Sequence, residues 1–514
     1  MSKLRVHARN LVANWVGHLS NLTVMFFLSP FVVHRLGDSA YGVWTLMMTV
    51  TGYLGLVDLG VRVSTGRYVN FYIGRGDHEG VNRIVCTSLA FYSGISLLVT
   101  MAAGAIGILF SRLFPRTTPD LDGTALPILL LLAGSVWAGF LTSVFQQLLH
   151  ARDRFDIRNA CDLVILLVRS ALTVAVLVAG RGLVALASVQ LVSQLLGAVI
   201  AWFTARLCGP EVQYGWRYVS KRSFADLLSF GSWAFVTNAS LRTVYYAAIA
   251  ITGWLLGPAQ VTYYSFGFML IDYGRTLVAL LPQQTLKPAT ERAAGAGAVA
   301  DLRWYYLLGS RLTMFLAVPL LAGYVALGRQ FLLLWLKDPA FERSAVVLSI
   351  LSIAQFWAIP SEPARAVLQG IGQVRKTASV MILEAVTNVA LTLLLVKGFA
   401  MGIVGVALGT AVPMILLEGV VLPHLTCVAV ALPARSYVRQ IVARWLAAAA
   451  LLLPAAWLVA RFDWSGWMGF AAKVAIVAGV YLPVGWFLML GREERAMFGL
   501  QRRVSAALNA MRPA

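Results

Sequence analysis

ALPILLLLAGSVWAGFLTSVFQQLL, residues 125–149, runs for 25 residues without one charged side chain. Crossing a hydrocarbon layer of roughly 30 Å takes about 20 apolar residues in helical form. Inside lipid, only helices and closed barrels satisfy their own backbone groups. Thirteen further stretches read the same way: 11–33, 40–60, 83–110, 160–180, 182–206, 227–252, 259–282, 304–327, 344–368, 377–396, 401–423, 440–460 and 466–490. The sequence therefore predicts an all-α integral membrane protein of about 14 transmembrane helices. No long stretch lacks a span, which leaves no room for a separate soluble domain. The first stretch has no small-residue cleavage site behind it and is expected to stay as a span.

Composition agrees. Hydrophobic residues make up 59% and charged residues 12%, against about a quarter charged in soluble domains. A net charge of +20 would suit nucleic acid, but the basic residues sit in short loops between spans and report topology instead. With 14 spans both termini share one side, and that side collects 27 Lys and Arg against nine on the other. Positive charge stays on the cytoplasmic side, so both termini are expected there. Cys86, Cys161, Cys208 and Cys427 all fall near cytoplasmic helix ends, and make neither a metal-ligand pattern nor a disulfide set.

The longest polar connector between spans is CGPEVQYGWRYVSKRSFADL, residues 207–226. Its mix of Trp216, Tyr218 and Phe224 with Arg217, Lys221 and Arg222 fits a helix lying on the membrane surface; a plain basic loop fits equally. The expected organisation is a six-helix lobe over 1–206, this amphipathic linker over 207–226 and a second six-helix lobe over 227–425. Helices 13 and 14 with a basic cytoplasmic tail occupy 426–514. The lobes look related: the stretch from Gln147 resembles that from Gln369, with Asp162 opposite Glu384 and GLVALA at Gly182 opposite GIVGVA at Gly402. Six spans between copies means a parallel repeat about an axis along the membrane normal.

Residues 36–67, LGDSAYGVWTLMMTVTGYLGLVDLGVRVSTGR, carry LG-x-x-x-YG-x-W and a later D-LG. This resembles the signature of the polysaccharide-transport branch of the multidrug/oligosaccharidyl-lipid/polysaccharide exporter superfamily. That branch contains the Wzx-type O-antigen and exopolysaccharide flippases. The resemblance implies two six-helix lobes around a central cavity, with spans 13 and 14 peripheral. It also implies a substrate of sugars on a polyprenyl (pyro)phosphate, in a bacterial inner membrane.

Moving such a lipid makes and breaks no covalent bond. It needs a polar cavity for an anionic, sugar-bearing head group, and cations within the membrane are natural handles for phosphate. Arg169, Arg242, Arg275 and Arg311 are the candidates, with Arg242 favoured because Thr237, Asn238, Ser240 and Tyr245 share its helix. Asn14, His18 and Asn21 fall on one face of span 1 and would suit sugars. Asp58 with Arg62, Asp272 with Arg275, and Glu362 with Arg365 are spaced for ion pairs on one helix face; Asp58 also suits a helix end. Lys473, on a peripheral span, reads as structural.

No cofactor or metal is expected; H+ or Na+ as a coupling ion stays open. The expected partners are the lipid-linked oligosaccharide, membrane lipids and polysaccharide polymerase or export machinery. A cation-coupled multidrug exporter of the same superfamily is the alternative, but span 1 has no acid and the mid-membrane charges are mainly arginines. A glycan polymerase or ligase is the enzymatic alternative, and no outside loop carries paired acidic residues.

Overall fold

A computed structural model describes residues 3–117, 123–282, 287–295, 297–491 and 495. Every regular element among them is helical. The chain divides into two compact units, Met1–Thr262 and Tyr263–Ala514. The boundary falls after the helix of predicted span 7, which packs within the first unit.

The first unit contains α1 (Lys3–Leu36), α2 (Asp38–Leu54), α3 (Val61–Gly74), α4 (His78–Ile108), the short α5 (Phe110–Leu113), α6 (Ala125–Ala151), α7 (Phe155–Val178), α8 (Leu183–Cys208) and α9 (Lys221–Leu255). Then α10 (Pro258–Leu281) begins in it and runs on into the second. The second unit continues with α11 (Lys287–Gly295), α12 (Val299–Leu336), α13 (Glu342–Ala358), α14 (Ser361–Gly370), α15 (Val374–Leu393), α16 (Gly402–Pro413), α17 (Leu422–Ala429), α18 (Ala434–Tyr437), α19 (Ala443–Ala460) and α20 (Gly466–Leu488).

Eleven of the described helices are long and apolar enough to cross a membrane, or up to 12 when the bent pair Pro339–Ala358 and Ser361–Gly370 counts as one span. The bend, 42°, falls at Pro360, which offers no N–H to the helical ladder. The other two predicted spans coincide with α9 and α10, of 35 and 24 residues. Arg242 in α9 and the Asp272–Arg275 pair in α10 lower their hydropathy.

The centre of the first unit is α6. More than half of its apolar window, 56%, is buried, against 17% for α7. It packs on α8, whose buried Ser193, Gly197, Ala201 and Ala205 recur every fourth residue. Such a small-residue stripe lets backbones approach, the usual way helices pack in lipid. Large apolar side chains face outward elsewhere, among them Leu97 at 68% and Phe27 at 70% exposure, as a lipid-bathed surface requires.

The motif around residues 36–60 is structural. Gly37 joins α1 to α2 in a single residue with φ +79°, which glycine adopts at least cost. Gly42 lets α2 pass so close to α10 that a Cβ would meet the Pro258 carbonyl. Residues 209–219 form no surface helix. Gly209, Pro210 and Gly215 interrupt it, leaving one 3-10 turn at Trp216–Tyr218. The loop is folded onto α4: Gln213 N–H donates to Asn82 Oδ1 at 2.9 Å and Ser220 N–H to Thr87 Oγ1 at 3.1 Å. Ser220 then caps α9.

Candidate functional site

A polar cavity of about 270 Å³ lies inside the first unit. Asn21 of α1, Arg62 of α3, Thr142, Ser143 and Gln146 of α6, Asp162 and Arg169 of α7, and Gln194 of α8 line it. Gly139, Ile165 and Leu166 complete the wall. Two helices contribute polar groups from one face: 142, 143 and 146 on α6, then 162 and 169 on α7, at helical spacing.

Gln146 Nε2 donates to Asp162 Oδ1 at 2.8 Å, and Arg158, one turn back, sits 3.8 Å from the same carboxylate. The hydroxyls of Thr142 and Ser143 donate to the carbonyls of Ala138 and Phe140, at 2.8 and 2.7 Å. Their oxygens remain able to accept. Arg169 is only partly exposed, and its guanidinium has no hydrogen bond or ion pair among the described residues. An arginine at membrane depth costs about 2.5–3.5 kcal/mol on insertion scales, so one without a partner among the described residues is a candidate handle for an anion. A guanidinium fork matches phosphate oxygens in pairs, and the surrounding amides and hydroxyls suit sugar hydroxyls.

Three residues singled out from the sequence, Asn21, Arg62 and Arg169, thus share one cavity. Arg62 does so because Asp58 takes another role. Asp58 Oδ1 accepts the backbone N–H of Arg62 at 3.1 Å and the hydroxyl of Tyr92, which secures the start of α3 and leaves the Arg62 guanidinium to the cavity. Arg242 is exposed, its guanidinium 5.8 Å from the centre of the Tyr246 ring and its Nη1 3.3 Å from that hydroxyl. It does not line the cavity. The side chains of Asn14, His18, Asn238 and Tyr245 lie outside the described residues.

The remaining candidates are in the second unit. Arg275 pairs with Asp272 at 3.0 Å and with Glu362 at 3.3 Å. Arg365 pairs with Glu362 and with Glu418, each at 2.6 Å. Glu362 and Arg365 are buried on α14, and Glu418 lies on a π-helical stretch, Met414–Val421. Arg311 Nη2 donates to Gln440 Oε1 at 2.9 Å, tying α12 to the π-helical Val438–Val442. Lys473 is buried and donates to Gln330 Oε1 at 2.8 Å and to the Ala460 carbonyl at 3.2 Å, a structural tie between spans.

The sequence reading passed over Gln146, Gln194, Thr142 and Ser143 as site residues. The signal was faint: single amides and hydroxyls inside apolar spans. Asp162 was noted only as the repeat partner of Glu384.

A many-span helical bundle with a cationic, amide-lined cavity between its own helices is the architecture of a polytopic transporter. The model of the polysaccharide biosynthesis protein family matches residues 35–338, and the chain belongs to that family. Among relatives, the Bacillus subtilis protein named uncharacterized membrane protein EpsK is 23% identical over 501 residues, 95% of this chain and 96% of its own. A putative O-antigen transporter of Shigella flexneri is 21% identical over 422 residues, 79% of this chain and 95% of its own. The fold is shared with the lipid II flippase MurJ in an inward closed conformation, at a TM-score of 0.72 and 14% identity, over 92% of this chain and 97% of that one. An inward-facing multidrug resistance MATE family transporter of the MOP superfamily gives 0.64 and 16%, over 80% and 98%.

Proposed function

We propose that this protein is a flippase for a polyprenyl-(pyro)phosphate-linked oligosaccharide, carrying its head group from the cytoplasmic to the outer leaflet of a bacterial inner membrane. Arg62 and Arg169 receive the phosphate, while Asn21, Gln146 and Gln194 meet the sugars. Transport proceeds by alternating access of the two lobes expected from the sequence, with both termini cytoplasmic. The observation that carries this reading is Arg169, without a hydrogen bond or ion pair among the described residues, lining a polar cavity within an apolar bundle. Family membership and the relatives' names support it. A cation-coupled drug exporter would gain more from a cavity whose acids outnumber its arginines; here Asp162 is the single carboxylate among the lining residues.

The test is on cells lacking the protein. Their extracted lipids should contain an accumulated, complete polyprenyl-linked repeat unit facing the cytoplasm, cleared on re-expression. Sensitivity to drugs with no such lipid would support the exporter instead. Accumulation on the outer face would place the lost step after flipping, in a polymerase or ligase.

A further inference from the structure

The second unit holds a buried carboxylate that nothing described so far uses. Glu384, on α15, is 1% exposed, and neither of its oxygens has a hydrogen-bond partner among the described residues. One turn further along the same face, Asn388 is fully buried with both amide atoms unpartnered. The Thr377 and Thr392 hydroxyls extend this unpartnered stripe on α15.

The charges around Glu384 do not neutralise it. α15 packs on α14, which carries Arg365, and on the π-helical stretch that carries Glu418. Arg365 is already engaged with Glu362 and Glu418 at 2.6 Å each, and Arg275 with Glu362 and Asp272. Two guanidiniums thus serve three other carboxylates, and Glu384 is left over. From the other elements packed on α15, α16 brings no titratable group, α17 brings an exposed His424 and a buried Cys427, and Lys397 lies at the exposed end beyond α15. An isolated ionised carboxylate in a low-dielectric interior is prohibitively costly, and such a group takes up a cation or a proton instead. Arg365 beside it disfavours a metal ion, whereas a proton needs no coordination shell. The π-helical setting of Glu418 adds to the case, since π-helical insertions occur frequently at functional sites.

We propose that Glu384 is a proton-binding site: it carries a proton in the resting protein and releases it to water when the second unit opens. The proton moves alone; no other bond changes. Its role as the coupling step for transport rests on the flippase reading, while the protonation itself does not.

The experiment uses the full-length protein in lipid nanodiscs, followed by infrared difference spectroscopy across a titration from mildly acidic to mildly alkaline pH. The expected result is a carbonyl band of a protonated carboxyl in an apolar setting. It should be lost in Glu384→Gln, displaced in Glu384→Asp and unchanged when choline replaces sodium. A band identical in both variants would overturn the proposal. A sodium-dependent carboxylate signal in its place would overturn it in favour of an alkali-ion site. Should Glu384→Gln not fold, the Glu384→Asp displacement decides alone. No substrate enters this measurement, so failure of the flippase reading, seen as unchanged lipids in deleted cells, is a separate outcome.

Discussion

Gln146 Nε2 donates to Asp162 Oδ1 at 2.8 Å, holding a negative charge in the cavity that Arg62 and Arg169 line. The carboxylate offsets part of the positive field that a phosphate would meet, and its oxygens accept hydrogen bonds as sugar hydroxyls require. Asp162→Asn removes the repulsion. Binding of a short-chain polyprenyl phosphate to purified protein should tighten by about threefold to tenfold at low salt, from a Coulomb energy on the order of 1 kcal/mol. The gain should shrink as salt rises. Unchanged or weaker binding would remove Asp162 from the phosphate's neighbourhood.

Arg169→Ala should weaken the same binding by roughly tenfold or more, since a hydrogen bond to a charged group contributes about 1.5–3 kcal/mol. Arg169→Lys should fall between, keeping the charge and losing the planar fork. Arg242→Ala, whose side chain lies outside the cavity, should bind like the native protein. Equal losses for Arg169→Ala and Arg242→Ala would spread the site beyond the cavity described.

Arg365 and Arg329 offer a stability contrast. Arg365→Leu leaves Glu362 and Glu418 buried without their shared partner, a loss of about 3–5 kcal/mol. Arg329 pairs with Glu342 at 2.8 Å, but the two side chains are 64% and 56% exposed, and such pairs contribute about 0–1 kcal/mol. Thermal unfolding of the purified proteins should show a large drop for Arg365→Leu and almost none for Arg329→Leu. Comparable drops would mean that α14 is not held by its ion pairs.

Gly42→Ala places a methyl group against the Pro258 carbonyl and should separate α2 from α10, lowering the yield of folded protein in detergent. Gly74→Ala meets nothing within 4 Å and lies in the last turn of α3, so it should be neutral or slightly stabilising. Size-exclusion profiles of both variants check this. A monodisperse Gly42→Ala at native yield would show that the approach is loose.

The helical membrane fold was legible because hydropathy acts span by span. Among the described residues eleven helices are long and apolar enough to cross a membrane, and α9 and α10 are made less apolar by Arg242, Asp272 and Arg275. The bend at Pro360 and the π-helical Met414–Val421 were not read, since local register depends on packing that one span does not encode. Within the site, Asn21 and Arg169 stand out in the sequence for polarity at membrane depth, and Arg62 for its one-turn spacing from Asp58. That three different helices deliver them to one cavity is a tertiary fact. The one-turn spacing of Asp58 and Arg62 fits either an ion pair or a helix end. The structure shows the helix end, with Asp58 accepting the backbone N–H of Arg62, a distinction that spacing cannot make. Glu384 and Glu418 had a signal that went unused: neither has a Lys or Arg three or four residues away.

The central claim is that the Arg169 cavity handles the head group during translocation. The most direct measurement is the leaflet distribution of polyprenyl-linked oligosaccharide in cells whose only copy of the protein carries Arg169→Ala, with membrane insertion verified. The account predicts the complete repeat unit trapped on the cytoplasmic face, as in deleted cells. Native export and distribution in that strain would contradict it.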